Sequence, residues 1–147
     1  VAAYKPWETD GSIPWVPPIM PLAQCKVAMV TTSGIHHTGQ QPFDMLDPDG
    51  DPSFRELNGA TLFDAFTITH DYYDHADAEK DPNIIFPLQR LQELQQEGVI
   101  GELANKHYAL MGHIDGRHIP TLIERSARSI AKQLKADQID LVLLTPA

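Results

Sequence analysis

The 147-residue sequence has a single cysteine, Cys25, so it can form no internal disulfide framework. That usage fits a reducing compartment, and a cytoplasmic location is expected. No apolar run approaches the roughly 18–20 residues needed to cross a bilayer, which argues against a membrane partner. The opening residues, Val1-Ala2-Ala3-Tyr4, carry no basic leader, no apolar signal core and no initiating Met, so the chain reads as a processed or partial piece. Positive charge is scarce: 11 Lys and Arg stand against 20 Asp and Glu, a formal net charge of −9. An acidic surface repels phosphate backbones, which argues against nucleic acid and anionic membranes alike. The few clustered cations, Arg125, Arg128, Lys132 and Lys135, fall at helical spacing and read as a solvated face.

What is present is an ordinary globular balance, 42% hydrophobic and 21% charged, in a chain long enough to bury one core without metal or disulfide support. Residues 1–25 are dense in proline at Pro6, Pro14, Pro17, Pro18 and Pro21. Lacking amide donors and fixed in φ, they predict an extended arm. Trp7 and Trp15 would anchor that arm on its own domain or on a partner, and a homo-oligomer or complex is favoured.

Residues 26–147 predict an α/β domain, incomplete at its C-terminus. Val27–Thr32 reads as a buried strand ended by Ser33-Gly34, and Ala65–Thr69 as a second. A helix opens at Pro87, presents Leu88, Leu91 and Leu94, and closes at Gly98. Tyr108–Met111 reads as a third strand ended by Gly112. A second helix is expected from a capping box of Thr121 and Glu124, with Leu122, Ile123, Ala127, Ile130, Ala131 and Leu134 inward. Ile139–Leu144 is the fourth strand. This alternation predicts an open, mostly parallel sheet with covering helices, flavodoxin- or Rossmann-like.

Ligands in such sheets bind beyond the carboxyl ends of the strands. Six of the seven histidines follow predicted strands: His36 and His37, His70 and His75, His113 and His118. His107 precedes its strand and belongs at the opposite edge. Imidazole can carry protons, hold an anion or bind metal. His36, His70, Asp71 and His113 could compose a metal site across loops, although no His or Cys pair has zinc-site spacing. Asp47-Pro48-Asp49-Gly50-Asp51 lacks the glutamate of a calcium loop and reads as a turn. Cys25 lies at the far edge and reads as structural. Ser33 lacks a nucleophile elbow, and no dinucleotide fingerprint is present.

Several segments occur in an order that resembles one family. They are Val30-Thr31-Thr32-Ser33-Gly34-Ile35-His36, Pro42-Phe43-Asp44, Gly50-Asp51-Pro52-Ser53-Phe54-Arg55 and Ile68-Thr69-His70-Asp71-Tyr72-Tyr73-Asp74-His75. Asp81-Pro82-Asn83-Ile84-Ile85-Phe86-Pro87, Glu97-Gly98-Val99-Ile100-Gly101, Met111-Gly112-His113-Ile114 and Leu143-Leu144-Thr145-Pro146 complete the set. Across residues 26–147 the chain resembles the selenoprotein B family of glycine, sarcosine, betaine and D-proline reductases.

The resemblance implies a reductase subunit that cleaves a C–N bond of a small amine, with other reductase subunits and a thioredoxin-like electron donor as partners. It implies a selenocysteine or cysteine as the attacking nucleophile, with a pyruvoyl group supplied by a partner subunit. No cofactor and no metal are expected on this chain. His36, His70, His75 and His113, aided by Asp71 and Asp74, are the expected proton-transferring and orienting residues. Thr32, Gly34, Tyr72, Gly112 and Thr145 are expected to line the substrate. One departure stands out: the family places its redox residue just after Leu-Leu-Thr-Pro, and this sequence stops at Ala147. A selenocysteine codon read as a stop, a remainder outside the sequence, or a degenerate paralogue would each account for it. The competing readings are a histidine-ligated metalloenzyme and a non-catalytic binding or assembly subunit.

Overall fold

In a computed structural model, residues 16–147 are described. The greater part of the predicted arm, with Trp7 and Trp15, therefore lies outside the described residues. From Val16 to Ile19 the chain is exposed, and a 3₁₀ turn over Leu22–Gln24 leads into the domain.

The central strand is β1, Lys26–Thr31. Its apolar run is continuous because both faces are covered, as expected of a strand inside a parallel sheet. Val27 and Met29 face a core shared with Leu57, Ile85, Phe86, Leu88, Leu91 and Ile100, while Ala28 is buried on the opposite face. Along one edge β1 pairs in parallel with β7, Leu141–Thr145, from Val27↔Leu141 to Thr31↔Thr145. Along the other edge it pairs in parallel first with β5, Glu102–Leu103, and then with β6, Lys106–Leu110. Ala104 and Asn105 separate those two short strands, so β5 and β6 behave as one interrupted strand. On the outer side of β6 runs β3, Phe54–Asn58, and it is antiparallel.

Two further strands form a separate ribbon. β2, Ile35–His37, pairs antiparallel with β4, Phe66–Ile68. Thr69 N–H to Gly34 O (3.0 Å) and Thr38 N–H to Ala65 O (2.9 Å) extend that ladder at its ends. The expected second strand therefore exists but does not join the parallel sheet. Gly34 turns the chain back with φ +70°, and the three residues that follow capture β4 before it can reach β1. The α/β class stands: the five-stranded sheet is mixed, with β1, β5, β6 and β7 parallel and the edge strand β3 antiparallel.

Of the helices, α1 covers Ala76–Lys80 and α2 covers Leu88–Gln96. Pro87 caps α2, Leu88 and Leu91 are its buried residues, and Gly98 leaves it with φ +72°, as the spacing predicts. Burying two leucines in this way contributes roughly 1.5–3 kcal/mol each. The other helical stretch differs from expectation at its start and on its inward face, where Ile130 is buried and Leu122 and Leu134 are half-buried but Ile123, Ala127 and Ala131 are exposed. α3, Ile119–Thr121, runs through a π-helical turn at Leu122–Ser126 into α4, Ala127–Ala136. Thr121 lies inside it and caps nothing. The cap sits upstream, where the Asp115 carboxylate accepts the Gly116 N–H at 2.7 Å, and Pro120 occupies the first turn. Proline pre-set for a helix start outweighs a capping box one residue later. Arg125, Arg128, Lys132 and Lys135 are all exposed, as expected. Cys25 is buried in the core beside Val27.

Candidate functional site

β1, β6 and β7 are parallel, so their carboxyl ends share one edge, and the turn after β1 crosses it. Thr32 N–H donates to Thr145 O (3.1 Å) on one side, and Gly34 N–H donates to Leu110 O (3.0 Å) on the other. Two glycines permit the crossing. A Cβ on Gly112, at φ +97°, would stand 2.0 Å from Thr32 O and 3.3 Å from His70 Nε2. A Cβ on Gly34 would stand 2.5 Å from Thr69 O. The segments after β1, β4 and β6 thus touch at backbone level, and no side chain larger than hydrogen fits where they do.

His70 lies at that junction, only 7% exposed. Its Nδ1 accepts the Tyr72 N–H at 3.0 Å, which assigns the ring proton to Nε2, the atom facing Gly112. Burial, followed by the proximity of His113, holds its pKa below the ordinary imidazole value against the opposing pull of Asp71. The ring is therefore neutral at pH 7 and presents an N–H donor. Among the described residues Nε2 has no hydrogen-bond partner. Tyr73 packs against the imidazole with centroids 4.8 Å apart and donates its hydroxyl to Ser33 O at 3.0 Å, clamping the loop onto the turn after β1. Tyr72 stacks on His113 at 4.1 Å and 24°, and His113 Nε2–H donates to Pro48 O at 2.9 Å.

Thr32, Gly34, His70, Tyr72, Gly112 and His113 are thus gathered as expected. Thr145 is beside Thr32, but its hydroxyl donates to Ile85 O at 3.0 Å. Asp71 is exposed near His70; Asp74 is exposed and accepts the Ala76 N–H at 3.0 Å. His75 starts α1, with Nδ1 2.7 Å from Glu79 Oε1, a charge-pair distance without hydrogen-bond alignment. It reaches the cluster only through the edge of Tyr73.

His36 does not belong to a strand-end loop. It lies within β2, 1% exposed, with Nδ1–H donating to His37 O (2.9 Å) and Nε2 accepting the Thr69 hydroxyl (2.8 Å). Both nitrogens are occupied in structure-holding bonds. His37 stacks on Phe66 and accepts the Asn58 N–H. His118 binds Asp47, whose carboxyl is held far below the usual range by His118, the Asp49 amide and Arg117. The expectation of six histidines on one edge thus reduces to His70 and His113, because β2 was invisible in the pattern and drew two histidines inward. His107 is inside β6 rather than ahead of it, fully buried, accepting the Met29 N–H at 3.0 Å.

The proposed metal quartet is not assembled: His36 is committed elsewhere, and among the described residues no three His, Cys, Asp or Glu side chains group to hold an ion. The 47–51 segment is a turn, its carboxylates accepting the Asp49 and Ser53 amides. An open concavity of about 600 Å³ lies beside it, between Asp44, Asp51, Arg55 and His118, and is lined by none of Thr32, Gly34, His70, Tyr72, Gly112 and His113. Tyr73 and Ser33 complete the site without having been singled out as functional. Tyr73 could have been found through its place between Tyr72 and Asp74.

No helix of the described residues is long and apolar enough to cross a membrane. No solved structure matches the chain. It is 34% identical over 131 residues to the D-proline reductase subunit gamma of Acetoanaerobium sticklandii, covering 89% of this chain and 52% of that one. The glycine reductase complex component B subunit gamma of Symbiobacterium thermophilum is 31% identical, covering 95% of this chain and 32% of its own. The sarcosine reductase complex component B subunit beta of Peptoclostridium acidaminophilum is 32% identical, with the same two coverages. The chain thus spans from a third to half the length of these relatives. A family model described as glycine/sarcosine/betaine reductase selenoprotein B matches residues 5–147. With nearly the whole sequence inside that match, the chain belongs to the glycine/sarcosine/betaine reductase selenoprotein B family.

Proposed function

We propose that this chain forms the substrate side of a reductase that cleaves a C–N bond of glycine, sarcosine, betaine, D-proline or a related amine, in a complex with other reductase subunits. The observation that carries the reading is the His70 ring, fixed through Nδ1 and turned with Nε2–H toward the meeting of the β1 and β6 ends. A neutral imidazole there donates a hydrogen bond to the lone pair that develops on the nitrogen as the C–N bond breaks, and Tyr73 and Tyr72 N–H hold its orientation. His113, stacked on Tyr72, orients the substrate.

The nucleophile in this reading is a selenocysteine or cysteine following Ala147. The Thr32 N–H donates to Thr145 O at 3.1 Å, so β7 ends at the same edge, which supports that reading. A selenolate or thiolate attacks the substrate carbon, forming a C–Se or C–S bond as the C–N bond breaks and the nitrogen leaves as amine. A thiolate of a thioredoxin-like donor then attacks the selenium or sulfur, the carbon leaves with the electron pair and takes a proton from water, and the donor's second thiol closes its disulfide and frees the nucleophile. Any pyruvoyl group belongs to a partner subunit. The three parallel strands are read as the start of a doubly wound, flavodoxin-like unit, and the setting as cytoplasmic and homo-oligomeric.

The test is turnover by the full protein in its complex. His70→Gln and His113→Ala are each expected to lower kcat, His70→Gln by about 10²–10³-fold through loss of the positioned donor. Unchanged turnover in both would remove the reading. The coding sequence past the Ala147 codon is expected to hold an in-frame selenocysteine or cysteine codon within a few positions; a frame with neither sinks the nucleophile assignment.

A further inference from the structure

The strand-end edge carries an aromatic platform that the His70 hydrogen bond does not use. One face of Tyr72 stacks on His113 at 4.1 Å, and the side chain stays 64% exposed, leaving its opposite face open to solvent. His70 supports it edge-on at 5.9 Å and 88°. His113 is itself anchored to Pro48 O, so the stack is fixed at both ends of the pair. Tyr72 is also tied through its backbone, whose N–H is held by His70. A tyrosine on a mobile loop gains nothing by such bracing; a recognition surface does.

The unpaired charge around the platform is of one sign. Asp71 and Asp74 are exposed within two residues of Tyr72, and among the described residues neither forms an ion pair. Arg117, on the segment after β6, is taken up by Asp47 and Asp49, and Lys80 by Asp77. An open π face beside unpaired carboxylates attracts a cation, and the attraction grows with the cation's apolar surface. A primary ammonium prefers its water shell and hydrogen bonds. An N-alkylated ammonium, weakly hydrated and broad, prefers the ring.

We propose that Tyr72, backed by His113, is a specificity-determining residue that selects an N-alkylated ammonium over a primary one by cation–π contact. The inference deepens the proposed function and rests on the strand-end edge being the substrate side. It is tested by NMR titration of the full chain with three probes: betaine, glycine and 3,3-dimethylbutanoate, which is the uncharged-carbon counterpart of betaine.

Betaine is expected to bind more tightly than either of the others. Tyr72→Leu should reduce the betaine-to-glycine affinity ratio roughly 3- to 30-fold, and Tyr72→Phe, which keeps the ring, should preserve it. Tyr72 is exposed, so Leu should fold; circular dichroism and melting verify that. Equal behaviour of betaine and 3,3-dimethylbutanoate on the unsubstituted chain, including no binding of either, overturns the proposal, as does an unchanged ratio in Tyr72→Leu. If His70→Gln and His113→Ala still abolish turnover in that case, only this inference falls. If turnover survives them, the substrate-side reading falls with it.

Discussion

His70 and His107 show how far one residue type can diverge within one fold. Both are buried and both accept a backbone N–H through Nδ1. The other nitrogen of His70 faces the open strand-end junction, while that of His107 is sealed in the core without a partner among the described residues. Burial pushes the His107 pKa down to about 4. The folded protein therefore refuses a proton that the unfolded chain accepts below about pH 6.5. Between those values the unfolded state binds more protons, so stability is full above pH 6.5 and falls as the pH drops toward 4. Urea melts across this range should lose up to about 3 kcal/mol from this group, and His107→Gln should flatten that slope at lower overall stability. His70 contributes in the same direction. An unchanged slope in the variant would show that other groups carry the acid sensitivity.

Gly112 supplies a sharper residue-scale prediction. At φ +97° with Thr32 O in the place of a Cβ, Gly112→Ala is expected to cost at least about 2 kcal/mol and to displace His70. Thermal melting reads the first effect and turnover the second. A well-folded variant with normal kcat would mean that the turn yields without moving the histidine.

Elements were legible where a local pattern coincided with a local cause. The buried run of β1, the Leu88/Leu91 stripe between Pro87 and Gly98, the β6 strand and the final β7 strand all emerge as expected. Leu91 is buried in the central core, so Leu91→Ala should lower unfolding free energy by about 2–5 kcal/mol. A loss below 1 kcal/mol would mean that α2 collapses onto the gap. Elements were missed where three to five residues gain strand character only from a partner. β2 has no alternation long enough to detect, and β3, with Arg55, Glu56 and Asn58, has the polar composition of an edge. The start of α3 was misplaced by a similar ambiguity between two nearby capping signals, of which Asp115 and Pro120 prevail.

At the scale of the whole molecule, β1 acts as the hinge of the architecture, with β5 and β6 on one side and β7 on the other. At its carboxyl end the three parallel strands β1, β6 and β7 consequently deliver polar residues together. The acidic loop at Asp47–Asp51 is bound to the segment after β6 by Arg117, His118 and the Gly50–Ile114 bridge, which encloses His113 from behind. The same edge that orders the catalytic candidates is thus braced from two independent loops.

The sequence by itself determined the α/β class, the family and the general location of chemistry after the strands. Those follow from hydrophobic period, turn residues and ordered motifs, all of which are local in the chain. Only the tertiary structure decided which histidines could act. Whether His36 turns inward or His70 faces the β1 and β6 ends depends on β2 pairing with β4 rather than joining β1. Pairing between distant segments is set by competition for backbone hydrogen bonds and core space, which no local period records.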